Sequence, residues 1–268
     1  MKKIMYVFLI SCFSLTISTC SVNWGSNKDD TTSGLFVSVG NSGTIIISSD
    51  GITWIFSTSG TSSNLWGINY GNSTFVTVGD SGTILTSSDG TSWDNRTSDV
   101  SSTLYGVTYG NSTFVTIGDN GTILTSSDGT SWDNRTSDVS STLYGVTYGN
   151  STFVTVGDNG TILTSSDGTT WTSRTSNTSK NLYGVIYGNS TFVTMGGSGT
   201  ILTSSDGTSW TSRTSGASDT LWGVIYGKSA YVVVVGTLGT VLTSSDLTTW
   251  TSRTSNTSNN LLEVTYKE

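Results

Sequence analysis

The residues able to do chemistry in this chain are mostly aspartates, and they recur. Asp50, Asp89, Asp128, Asp167, Asp206 and Asp246 each stand four residues before a tryptophan: Trp54, Trp93, Trp132, Trp171, Trp210 and Trp250. They lie in strings such as "TILTSSDGTSW" at 83–93. Asp80, Asp119 and Asp158 form a second set, in "GDSG" and "GDNG" turns. A carboxylate pair could hydrolyse glycosides and a carboxylate cluster could hold Ca²⁺, but each copy of the longer string carries one carboxylate only. Histidine is absent and Glu occurs only at Glu263 and Glu268, so metal catalysis lacks its usual ligands. No cofactor and no metal are expected.

The six tryptophans are 39, 39, 39, 39 and 40 residues apart, a period that signals propeller blades or solenoid units. Within one period, 182–214, four short segments stand between turn residues: "LYGVIYG", "STFVTMG", "GTILTSS" and "SWTSRTS". Each is rich in β-branched or aromatic residues, as strands are, and four strands in about forty residues make one blade. Helical repeats would need long runs of helix formers, which are absent. At the ends, "SNKDDTTSG" occupies the place of a first strand, while "LLEVTYKE" supplies such a strand with no unit after it. The expected fold is all-β: a six-bladed β-propeller with four antiparallel strands per blade, closed by the C-terminal strand completing the first blade. Blade six carries one extra residue in "SAYVVVVGTLGT", which a β-bulge would absorb.

In the quoted string, Asp-Gly is expected at the centre of a two-residue hairpin turn, with Ser87 and Asp89 bonding local N–H groups and Trp93 packing between blades. Ser87, Asp89, Gly90 and Trp93 resemble the Asp-box of BNR-type repeats, with one residue fewer between Asp and Trp, and Leu247 replaces the Gly in the last copy. That resemblance runs from about 35 to 267. It implies a propeller in which the box joins the third and fourth strands, and it implies little about function, because sialidases and non-enzymatic assembly factors share it.

Sialidase-like catalysis would need converging arginines. Arg96, Arg135, Arg174, Arg213 and Arg253 each follow a box Trp by three residues, on an outer strand where equivalent positions point apart. The chain is therefore expected not to be an enzyme. A binding face is better supplied: Trp66, Tyr105, Tyr144, Tyr183 and Trp222 enter five first strands, on the side that collects Asp80, Asp119 and Asp158. Aromatics with carboxylates and hydroxyls suit a glycan or a protein ligand, while blade-to-blade packing accounts for the same aromatics. An envelope assembly factor is the second reading and a glycoside hydrolase a distant third.

The first residues combine a basic start with a short apolar run, as an export signal does. Ile17-Ser18-Thr19-Cys20 resembles a bacterial lipobox, which implies a signal peptide at 1–19, a lipidated Cys20 with a tether at 20–33, and a propeller at 34–268. Plain secretion, with Cys20 ending the leader, is the alternative. Without Lys2 and Lys3, nine bases face eighteen acids, a net of −9 against −7 for the whole chain. That balance argues against nucleic acid and against membrane contact other than through the lipid. The protein is expected to be a monomer at the cell envelope.

Overall fold

The computed structural model describes residues 34–227 and 231–264. Residues 1–33, including Cys20 and the expected leader and tether, lie outside the described residues. Among the described residues the chain is all-β, with one three-stranded and five four-stranded antiparallel sheets.

Blade 1 has strands Phe36–Val39, Ile45–Ser48 and Ile55–Ser57. Blade 2 adds the missing inner strand, Leu65–Gly71, before Thr74–Gly79, Ile84–Ser87 and Asp94–Arg96. Blades 3 to 6 repeat that order, with inner strands Leu104–Gly110, Leu143–Gly149, Leu182–Gly188 and Leu221–Gly227. The blade that sequence counting left one strand short is the three-stranded one.

Each blade interface is apolar and sequentially local. Trp132, Phe114 and Leu124 of blade 3 form one buried cluster with Val76, Val78 and Ile84 of blade 2, with Trp132 tilted against Phe114. Trp171 and Trp210 belong to equivalent clusters one and two blades further on. The buried threonines between these layers are satisfied: Thr77 Oγ1 donates to the Gly67 carbonyl at 2.9 Å, and Thr116, Thr155 and Thr194 repeat the bond. A glycine ends the inner strand of blades 2 to 5 where the next blade's tyrosine fills its side-chain space. A Cβ on Gly149 would fall inside the Tyr187 ring.

Two turn expectations are corrected. The Asp-box is not a two-residue hairpin turn: the third strand ends at Ser87 and the fourth begins at Asp94, leaving residues 88–93 as a longer loop. Side chains replace the backbone ladder there. Ser87 Oγ accepts from the Gly90 N–H at 2.7 Å and donates to Asp89 Oδ1 at 3.0 Å, which in turn accepts from the N–H groups of Thr91 and Ser92 at 2.8 and 2.9 Å. The two-residue turn is instead the one between the first and second strands, where Asn72 and Ser73 both have positive φ (46° and 58°). The extra residue of blade six makes no bulge in the second strand. Gly227 pairs with Tyr231 where Gly188 pairs with Thr191, so the added residue falls among 228–230, outside the described residues, and the register beyond Val232 and Ser244 is unbroken.

Residues 261–264 lie beside the inner strand of blade six. Leu261 N–H donates to the Gly236 carbonyl at 2.9 Å, just as Leu65 N–H donates to Gly40 at 3.1 Å on entering blade 2. Asn260 Oδ1 accepts from the Leu238 N–H at 3.2 Å, the bond that Asn64 makes to Ser42 and Asn181 to Asn159.

Candidate functional site: an aromatic arc on the inner strands

Every four-stranded blade breaks its register at one residue of the inner strand. In blade 2 the pairing steps from Leu65–Gly79 to Gly67–Val78, so Trp66 is the bulged residue. The same step falls at Tyr105, Tyr144, Tyr183 and Trp222. A bulge re-aims the extra side chain, and here it turns five aromatics towards one end of the propeller. Neither composition nor period announces it; the only sequence signal is an aromatic wedged between Leu and Gly where strand alternation should place one residue fewer.

The rings form a continuous arc. Successive centroids are 6.0 Å apart from Trp66 to Tyr105, 5.5 Å to Tyr144, 5.3 Å to Tyr183 and 4.4 Å to Trp222, all tilted. These separations are those of favourable aromatic pairs. All five residues are half-buried.

The second aspartate set stands beside this arc, where sequence analysis placed it. Trp66 Nε1 donates to Asp80 Oδ1 at 2.6 Å and Asn64 Nδ2 to Asp80 Oδ2 at 2.9 Å. The Tyr144 hydroxyl donates to Asp158 Oδ1 at 3.0 Å, and Thr142 Oγ1 to Asp119 Oδ1 at 3.2 Å. Burial, then the negative charge of Asp119, pushes the Tyr105 hydroxyl up to about 12; burial and the bond to Asp158 push Tyr144 up as well. Both phenols stay protonated donors at neutral pH. Thr142 closes the second "SDVSST" stretch, which sequence places on this face, whereas Asn64 carries no signal of its role.

Blades 5 and 6 lack the acid, with Gly197 and Thr237 in its place, and the Trp222 indole N–H is buried without an acceptor among the described residues. Beneath the arc, the axis narrows to a cavity of about 30 Å³, lined by Tyr105, Tyr144, Tyr183 and the inner-strand glycines. That is room for about one water. A larger open groove, about 540 Å³, lies elsewhere, along Arg135 and Asp138 of blade 3. Arg135 is already engaged there by Thr125 at 2.7 Å and Asp133 at 2.8 Å.

The six Asp-boxes do not join this site. They occupy the opposite end of the strands, and their carboxylates are consumed by local N–H and hydroxyl donors. The five box-following arginines likewise stay apart, each bonding a threonine of its own blade. Among the described residues no group of His, Cys, Asp or Glu side chains could hold a metal ion.

No protein-family model matches the chain, and no curated protein does. Solved structures share its fold. "YCF48 bound to D1 peptide" superimposes with a TM-score of 0.65 at 20% identity, covering 81% of this chain and 76% of that one. YCF48 from Cyanidioschyzon merolae gives 0.67 at 17% identity, covering 84% and 83%. The computationally designed Ika8 protein gives 0.70 at 15% identity, covering 88% and 78%. With the six sheets, these likenesses establish a β-propeller of repeated blades.

Proposed function

We propose that this chain is a non-catalytic binding propeller, exported and held at the cell envelope through Cys20, that captures a protein or glycan on the aromatic arc. The observation that carries the reading is the bulge repeated at Trp66, Tyr105, Tyr144, Tyr183 and Trp222, which spends regular pairing in five blades to present five rings together. An axial cavity with room for one water favours a ligand lying across the rim over a substrate enclosed in a pocket of about 300–1,000 Å³. A neighbour of the same fold was solved with a peptide, which favours an extended peptide as the first ligand class to test. Asp80, Asp119 and Asp158 would fix its polar groups.

The test is capture from a peptide library and a glycan array, with Tyr105→Ala and Tyr144→Ala as variants. Loss of at least tenfold in affinity with unchanged melting supports the reading; undiminished capture removes it. Turnover of a fluorogenic glycoside panel would instead favour the hydrolase.

We also infer that the ring closes by residues 261–268 serving as the inner strand of blade 1. The bonds of Asn260 and Leu261 support this, since they match those that seat the inner strands of later blades. So do two uncovered apolar faces. Trp54 is 40% exposed where four later box tryptophans are 7–9% exposed, and Val233 and Val241 are half-buried where their counterparts Val76 and Ile84 are fully buried. Closure would stack these two faces together.

A further inference from the structure

We propose that the outer edge of blade 1 pairs with the same edge of a second copy of this chain. Ile52, Ile55 and Phe56 are 82%, 59% and 85% exposed. Their counterparts in blade 2 are Thr91, Asp94 and Asn95, and every later blade likewise carries a polar residue at these three exposed positions. The change is concerted. Ser57 stands where the other outer strands carry Arg, and Ile47 stands where the threonine that bonds that arginine should be. Blade 1 thus has the one outer strand among the described residues with no charged side chain.

Ring closure does not cover this edge. The outer strands of blades 2 to 5 stay exposed although each has a blade on both sides. Among the described residues Ile55–Ser57 pairs only with Ile45–Ile47, and its outward N–H and C=O groups have no strand partner there. Such an edge is guarded in natural sheets by charge, and here the guard is missing. A bilayer would cover the apolar side chains but leave those backbone groups unpaired in hydrocarbon. A second β-strand satisfies both. The strand is self-complementary under a two-fold axis: antiparallel pairing centred on Phe56 sets it opposite its twin and Ile55 opposite Ser57, with neutral residues on both sides. Three side chains supply roughly half of the ~800 Å² per partner that a stable interface needs. The dimer is therefore weak and concentration-dependent, and it departs from the monomer expected from sequence.

Sedimentation equilibrium of the purified full chain across a wide concentration range tests this. Reversible dimerisation is expected, weakened at least tenfold by Phe56→Arg and by Ile55→Asp and untouched by Asn95→Arg, the matching change in blade 2. Both edge positions are exposed enough to accept charge without unfolding, which circular dichroism checks. A single monomeric species throughout, or association that survives both edge variants, would overturn the proposal. So would monomeric protein captured by phosphatidylcholine vesicles through Phe56.

Discussion

Trp66 donates its indole N–H to Asp80 across 2.6 Å, whereas Trp222, its equivalent in blade 6, has Thr237 in that place and no acceptor among the described residues. One arc therefore holds a satisfied and an unsatisfied copy of the same contact. A buried donor left unpaired costs on the order of 1–3 kcal/mol. Thr237→Asp should raise stability by about 1 kcal/mol, read as a higher melting temperature. In a Trp222→Phe background the same change should gain nothing, and an equal gain in both backgrounds would refute the cause.

The Asp-box loops should hold the fold rather than the ligand. Ser126 accepts from the Gly129 N–H at 2.8 Å and donates to Asp128 at 3.0 Å while itself buried. Ser126→Ala should cost about 1–2 kcal/mol in chemical denaturation and leave ligand capture unchanged.

Those same boxes set an acid limit. The Thr53 and Ile52 N–H groups, with the Ser48 hydroxyl, hold the Asp50 carboxyl down at about 2, and the other five box carboxyls are also depressed by their N–H and hydroxyl donors. A depressed carboxylate stabilises above its unfolded value near 4 and loses that contribution as pH falls through the folded value. Melting temperature should drop below about pH 4 and continue to fall to pH 2. Asp167→Asn should make that descent shallower.

Glu263 behaves in the opposite sense. It stands where the five inner strands carry glycine, and Oε2 is buried with no partner among the described residues. Burial pushes its carboxyl up to about 8. A raised carboxyl favours folding below its unfolded value of 4.5 and loses that advantage as pH climbs through about 8. Stability should therefore decline between about pH 5 and 8, by as much as a few kcal/mol. Glu263→Gln should flatten the decline, and an unchanged slope would locate the titrating group elsewhere.

Closure has a register test. Aligning residues 261–268 with Leu65–Asn72, and Gly34 with Ser73, places Glu268 and Gly34 at the two turn positions held by Asn72 and Ser73 in blade 2. A circular permutant that joins residue 268 directly to residue 34, opened at 258, should melt within a few degrees of the original chain. Failure to fold would argue for an open arc.

The tryptophan period and the strand count within it were enough to read blade number, strand order and the short first blade, because both survive any detail of loop geometry. The rim residues were legible as well, since inner-strand entries and second-to-third turns must share a face. The turns were not. Asp-Gly at 89–90 has the composition of a tight hairpin, yet Ser87 and Asp89 satisfy the loop N–H groups and remove the need for one. The bulge at Trp66 was hidden for a related reason: it depends on pairing register, which neighbouring strands decide and local residue types do not.

The glycine that ends the inner strand of blades 2 to 5, its side-chain space filled by the tyrosine of the next blade, makes every junction from blade 2 to blade 6 the same joint. A recombination event that slips by one 39-residue unit would delete or insert a whole blade without creating a new kind of seam. Only the curvature of the blade array would register the change, so geometry and not packing limits the number of blades such joints can carry.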